Sequence, residues 1–384
     1  MQDIQELKIH FPGKLVFGNG TLQKLPQEIL DLGSKKVLLI TIEPLLVGLK
    51  ELIERLKENK IEVLIDTSIV SEPSFKDFEE LMDKVSVFNA DVVVGIGGGS
   101  VLDIAKLVAA QLDNEQSLRE IVGNGLLNGR SKKLICLPAT SGTGSEASPN
   151  AILVDKEDNQ KKGIISPYLV PDIVYVDPLL TISVPPSVTA ATGLDALTHC
   201  LEAYTNKFAH PYIDMYAFEG MRLIASNLEK AVKNGQNKEA RAHVAMGSLL
   251  GGFCLGPVNT AGVHALSYPL GSTFHMAHGL SNALLLPYVM EYNLEAAPRR
   301  YAEVAVALGC TRENDDMDTA KKGIEKIRTI IAECGVPPRL RDVGIPKDAI
   351  PQMAEDALKI QRLLKNNPRH IGLEDAIDIY TSAY

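Results

Sequence analysis

Two hydrophobic rhythms divide this chain. Up to about residue 180, short apolar and β-branched runs alternate with stretches whose apolar residues recur three and four apart. KKVLLIT at 35–41, IEVLIDT at 61–67, ADVVVGIG at 90–97 and LICLPAT at 134–140 read as buried strands. LKELIERLKENK at 49–60, FKDFEELMDKVSVF at 75–88 and VLDIAKLVAAQL at 101–112 read as helices. Ahead of them, LKIHFPGKLVFGNG reads as strand, turn and strand, punctuated by Pro12, Gly13, Gly18 and Gly20. Strands alternating with helices predict a parallel, doubly wound sheet.

Beyond Pro186 the β-branched runs stop. SVTAATGLDALTHCLEAY, YIDMYAFEGMRLIASNLEKAVKN and KEARAHVAMGSLLGGF carry helical periodicity, which continues to the end of the chain. The paired prolines of DPLLTISVPP interrupt regular structure between the two rhythms. The expected organisation is an α/β dinucleotide-binding domain over residues 1–185 and an all-helical domain over 186–384.

Composition narrows the partners. At 384 residues the chain exceeds what one hydrophobic core ordinarily serves, which favours two domains. A net charge of −9, with no basic tract interleaved with aromatics, argues against nucleic acid and leaves small molecules. No apolar run reaches the roughly 18 residues of a membrane helix; VLLITIEPLLVGL is broken by Glu43 and Pro44. The opening MQDIQELKIHFPG lacks the basic and apolar regions of a secretory leader. Five scattered cysteines without a CxxC pair point to reduced thiols, hence a cytoplasmic setting.

Two loops carry candidate phosphate chemistry. GIGGGSVLDIAK at 95–106 joins a strand to a helix, where glycines admit close approach and the helix start offers free N–H groups. Ser100 stands where a G-x-G-x-x-G pattern has its third glycine. PATSGTGSEAS at 138–148 adds hydroxyls and backbone donors after the next strand. Two such loops at strand ends are what a nucleotide crevice requires.

The helical half carries a metal-ligand pattern. Asp195 and His199 lie four apart in GLDALTHCLEAY, on one helix face. His264 and His278 follow, fourteen residues apart in an apolar span. One carboxylate and three imidazoles suit Fe²⁺, Zn²⁺ or another borderline divalent ion. Cys200, next to His199, diverges from it by about 100° and is expected to pack instead.

In order, FGNGTLQKL, GGGSVLDIAK, LPATSGTGSEAS, VDPLLTISVPPSVTAATGLDALTHCLEAY, HALSYPLG, HMAHGLSNALLLPYVM and NPRHIGLEDAIDIYTSAY resemble the iron-containing (group III) alcohol dehydrogenase family over essentially the whole chain. The resemblance implies a dehydroquinate synthase-like architecture, iron, and NAD or NADP. It implies metal ligation by Asp195, His199, His264 and His278, and pyrophosphate contact at Gly97, Gly98 and Gly99 beside Ser100 and Asp103. Further cofactor contacts map to Thr140, Thr143, Asn150 and Lys161, with Lys162 as the alternative. Where many members place an Asp for the adenosine ribose, this chain has Ile42 followed by Glu43, which leaves NAD versus NADP open. Glu72 replaces an Asn common near the adenine. Tyr268 replaces a histidine four residues after the third ligand, and Tyr268 and His275 are rival proton relays.

The activity implied is interconversion of a small primary alcohol and its aldehyde by a homodimer or larger homo-oligomer. The alternatives are a reductase of a charged aldehyde, a hydroxyacid–oxoacid transhydrogenase and, more remotely, a 3-dehydroquinate synthase-type lyase.

Overall fold

The structure, a computed structural model, describes residues 6–157 and 160–384. The first five residues, part of the stretch read as lacking a secretory leader, lie outside the described residues. The chain forms two compact units. One comprises His10–Thr140 and Gly144–Thr181; the other comprises Ile182–Tyr384 with Ser141–Thr143 and the described residues before His10.

The first unit is built on strands β1 (Lys14–Phe17), β2 (Lys36–Ile40), β3 (Glu62–Asp66), β4 (Val92–Gly97), β5 (Gly123–Asn124), β6 (Lys133–Pro138), β7 (Asn150–Asp155), β8 (Gln160–Ile165) and β9 (Ile173–Val176). Its helices are α1 (Leu25–Asp31), α2 (Leu46–Glu58), α3 (Phe75–Val85) and α4 (Gly99–Gln111). Six strands pair in the order β1-β9-β6-β4-β2-β3, every pair parallel. Val37, Leu39, Val92, Val94, Ile96, Ile135 and Leu137 line one core of this sheet, so the uninterrupted apolar runs are those of strands buried on both faces. From β2 the chain moves outward to β3, then returns to the other side of β2 as β4. That reversal is a topological switch point, and ligands of doubly wound sheets bind outside the strand ends there.

Two features depart from the pattern reading. Residues 7–11, expected as a strand, enter no ladder among the described residues; Leu7 and Ile9 pack on the helical unit's core. A second sheet, β5-β8-β7, was not anticipated. Strand β8 opens with QKKG, whose polar residues mask the alternation by which strands are recognised.

The second unit contains α5 (Pro186–Thr205), α6 (Pro211–Lys233), α7 (Lys238–Leu255), α8 (Gly262–Phe274), α9 (His278–Asn293), α10 (Pro298–Ala307), α11 (Asp316–Glu333), α12 (Ile350–Leu358), α13 (Gln361–Leu364) and α14 (Leu373–Ala383). One apolar core runs through it, including Leu194, Leu197, Met221, Ile224, Leu266 and Leu285. Among the described residues no helix is long and apolar enough to cross a membrane.

Candidate metal centre and nucleotide loops

Three helices deliver the four candidate ligands. On α5, Asp195, His199 and Glu202 recur at intervals of four and three and so share one face. The buried Arg241 on α7 braces the start of α5, donating to the Thr189 hydroxyl at 2.7 Å and the Val184 carbonyl at 3.1 Å. His264 lies in the first turn of α8, and His278 is the first residue of α9. Gly279 lets α9 meet α5, since a Cβ there would run into the Ala191 carbonyl oxygen. Cys200 turns its thiol toward the Gly247 carbonyl, as packing predicted.

The four residues converge. Asp195 Oδ1 lies 3.6 Å from Nε2 of each of His199, His264 and His278, and one ligand atom from each residue lies within 4.8 Å of all the others. Four donors at 2.0–2.2 Å around a tetrahedral cation stand about 3.3–3.6 Å apart, so the carboxylate-to-imidazole spacings fit a divalent ion. Asp195, His199 and His264 are buried, whereas the His278 side chain is 30% exposed and marks the open side.

Two neighbours escaped the sequence reading. Glu202, 3% exposed, takes His264 Nδ1 at 2.5 Å and the Val263 N–H at 2.6 Å. This leaves His264 Nε2 turned toward the cluster, the arrangement by which carboxylates orient metal-binding histidines. Its signal was available, because Glu202 sits seven residues after Asp195 on the same face. Asn282, one turn after His278, donates to Asp195 Oδ1 at 2.7 Å.

The electrostatics also favour a cation. Burial alone would raise the Asp195 carboxyl, but the surrounding imidazoles hold it well below the usual carboxylate range. Burial would lower His264, yet Glu202 and Asp195 push it up to about 10. Among the described residues neither carboxylate pairs with a Lys or Arg. Two buried carboxylates with only imidazoles for company call for compensating positive charge, which a divalent ion provides.

Tyr268, one turn after His264, places its ring 6.1 Å from that of His278, and its hydroxyl accepts from Arg362 at 2.8 Å. His275 ends α8 in the left-handed conformation with its side chain exposed.

In the α/β unit, Gly97 ends β4 and Gly98 caps α4 without any side-chain hydrogen bond, leaving the first-turn N–H groups uncapped. A Cβ at Gly97 would meet Val101 at 2.7 Å, and one at Gly98 would meet Thr140 at 3.4 Å. Ser100 lies in the first turn of α4. Asn150 opens β7 with a buried Oδ1 that has no hydrogen-bond partner. These free donors after β4 and this orphaned acceptor at the start of β7 fit a dinucleotide.

Other residues mapped to the cofactor have visible structural tasks. Asp103 accepts from Ser145 Oγ at 2.5 Å and the Ile152 N–H at 2.9 Å, tying α4 to the second loop. The fully buried Lys106, one turn on, donates to the Ser148 and Asn150 carbonyls. Lys161 pairs with Glu72 at 2.5 Å. Ile42 lies two residues past the end of β2 and caps the short helical turn containing Glu43. Thr143 belongs to the short segment that clusters with the helical unit.

Along both units the chain is similar to known proteins. The family described as "Iron-containing alcohol dehydrogenase" matches residues 12–178, and "Fe-containing alcohol dehydrogenase family, C-terminal" matches residues 189–384. The chain is 38% identical to long-chain-alcohol dehydrogenase 1 of Geobacillus thermodenitrificans (strain NG80-2), over 98% of this chain and 96% of that one. It is 35% identical to 1,3-propanediol dehydrogenase of Klebsiella pneumoniae, over 97% of each. A crystal structure of 1,3-propanediol oxidoreductase superposes with a TM-score of 0.95 at 33% identity, over 99% of this chain and 100% of that one.

Proposed function

The chain belongs to the iron-containing alcohol dehydrogenase family, metal-dependent enzymes that interconvert alcohols and aldehydes with a nicotinamide cofactor, and we propose that Asp195, His199, His264 and His278 are its metal ligands. The observation that carries this reading is the carboxylate oxygen standing 3.6 Å from all three imidazole nitrogens. Iron and NAD(P), when bound, supply Lewis acidity toward the substrate oxygen and two-electron transfer.

The protein's own part is positional. Glu202 and Asn282 hold the ligand set, and the exposed edge of His278 leaves the approach for substrate. Gly97, Gly98, Gly99 and Ser100 present the start of α4 to the pyrophosphate, with Thr140, Thr143, Asn150 and Lys161 contributing further contacts. Asp103 shapes that loop, and Ile42 lies at the adenosine end. We assign proton exchange with solvent to His275, which is exposed, and not to Tyr268, whose oxygen is engaged by Arg362.

The substrate in this reading is a small primary alcohol and its aldehyde, in keeping with the 1,3-propanediol relative; the transhydrogenase and lyase alternatives are not favoured. The domains are taken as 1–185 and 186–384. The assembly is a homodimer or larger, in keeping with the alternating residues 7–10, which belong to no strand among the described residues. A cytoplasmic setting is in keeping with cysteines that are all free.

Elemental analysis of anaerobically purified Asp195→Asn protein tests the ligand assignment. Iron is expected to fall from near one per chain to near zero, and alcohol oxidation at least 1,000-fold with it, about 4 kcal/mol. Stoichiometric iron in that variant refutes the assignment. For the relay, His275→Asn is expected to shift the pH profile of kcat and Tyr268→Phe to leave it in place; the reverse result moves the role to Tyr268.

A further inference from the structure

Building on the ligand assignment, we propose that Arg362, presented beside Tyr268, recognises an acceptor oxygen at the end of the substrate remote from the reacting carbon. Apart from Arg339, the other arginines of this chain that are not exposed have their guanidinium groups occupied. Arg300 pairs with Asp214, Arg130 with Asp172, and Arg328 with Glu291. Arg241 has no carboxylate, but three of its nitrogens donate to Gly235, Thr189 and Val184. Arg362 differs from all of these. Among the described residues its guanidinium makes one hydrogen bond, from Nη2 to the Tyr268 hydroxyl at 2.8 Å, and lies within 4.0 Å of no carboxylate. Its Cζ stands 5.7 Å from the centre of the Tyr268 ring.

Location gives that free edge a use. Tyr268 packs beside His278, and His278 is the one ligand whose side chain is substantially exposed: 30%, against 6% for His199 and 4% for His264. The arginine–tyrosine pair therefore borders the open side of the cluster. A guanidinium offers five N–H donors in a rigid plane, and a partly desolvated one without a counter-ion is stabilised by any ligand that brings an acceptor. A second hydroxyl or a carboxylate, two or three carbons from the reacting carbon, shares that chemistry. A plain alkanol of the same length offers nothing to it.

The preferred class is thus small bifunctional alcohols and aldehydes. The reaction at the carbonyl is unaltered; Arg362 acts on which molecule is held there. The experiment compares kcat/KM for 1-propanol, 1,3-propanediol and 3-hydroxypropanoate in the iron-loaded enzyme and in its Arg362→Met and Arg362→Lys variants. Wild type is expected to favour at least one oxygen-tailed substrate over 1-propanol. Arg362→Met should lower that preference about 10- to 100-fold, the worth of a hydrogen bond to a charged group, mainly through KM. Turnover of 1-propanol and the iron content should remain within twofold of wild type, and Arg362→Lys should restore part of the preference. Whether the diol or the hydroxy acid loses more tells which oxygen is read.

An equal fall on all three substrates with iron retained makes Arg362 merely structural and overturns the proposal. So does a wild type that favours 1-propanol, or an Arg362→Met enzyme with unchanged ratios. Failure of the ligand assignment is separately visible, as iron that persists in Asp195→Asn.

Discussion

Asp195 in the helical unit and Glu146 in the α/β unit are buried to nearly the same depth, 3% and 2% exposed, yet their acidities move in opposite directions. Burial raises both. At Asp195 three imidazoles more than offset it, and the carboxyl is driven far down. At Glu146 nothing of comparable strength stands nearby, and the carboxyl is pushed up to about 7 despite Lys106. Burial thus sets the cost of a charge, and the neighbours decide whether the charge is kept. The helical unit concentrates ionisable groups and braces Asp195 and His264 among them, which suits a cation. The α/β unit works with backbone: glycines, an uncapped helix start, and an acid held partly neutral.

The largest effect that could break this contrast is at the brace. Glu202→Gln keeps the shape but removes the charge facing His264, and is expected to weaken iron affinity about 10- to 100-fold. Competition with a chelator measures it, and unchanged affinity would mean that Glu202 does not orient the ligand. Next is Gly97→Ala, whose methyl must displace Val101 where β4 turns into α4. Its expected signature is a rise of about tenfold in the cofactor KM at full iron content, a loss of about 1.4 kcal/mol in binding. Loss of iron along with cofactor would show that the two sites are not independent.

The smallest effect concerns Glu146. Its folded acidity lies above the ordinary carboxylate value of 4.5, so the stability it contributes is complete below that pH and is lost as pH rises through about 7. That loss amounts to about 1–3 kcal/mol. Glu146→Gln should flatten the fall in melting temperature over this range, and a slope identical to wild type excludes Glu146 as its source.

What the amino-acid order disclosed follows the same division. Strands buried on both faces announced themselves as apolar runs, and α5 by its periodicity, so the parallel sheet and the helical unit were readable. The four residues that cluster were readable as candidates because three of the eight histidines crowd into one apolar span. Residues 7–11 looked like a strand, since alternation reports a surface with two characters and not the presence of a ladder partner. The β7–β8 hairpin was hidden by lysines and acids. Glu202 shared a face with Asp195 and could have been found by extending the helical spacing one step. Arg362 could not: it reaches Tyr268 across 94 positions of sequence, through packing that no local pattern encodes.

The meeting of Gly279 with the Ala191 carbonyl has one more consequence. Main chain abuts main chain there, so the spacing of the four-residue cluster is fixed by a hard stop with no compressible filler between the helices. Aliphatic residues farther out can be exchanged over many generations while the jaws keep their gap. At position 279 itself even one methyl group would pry them apart.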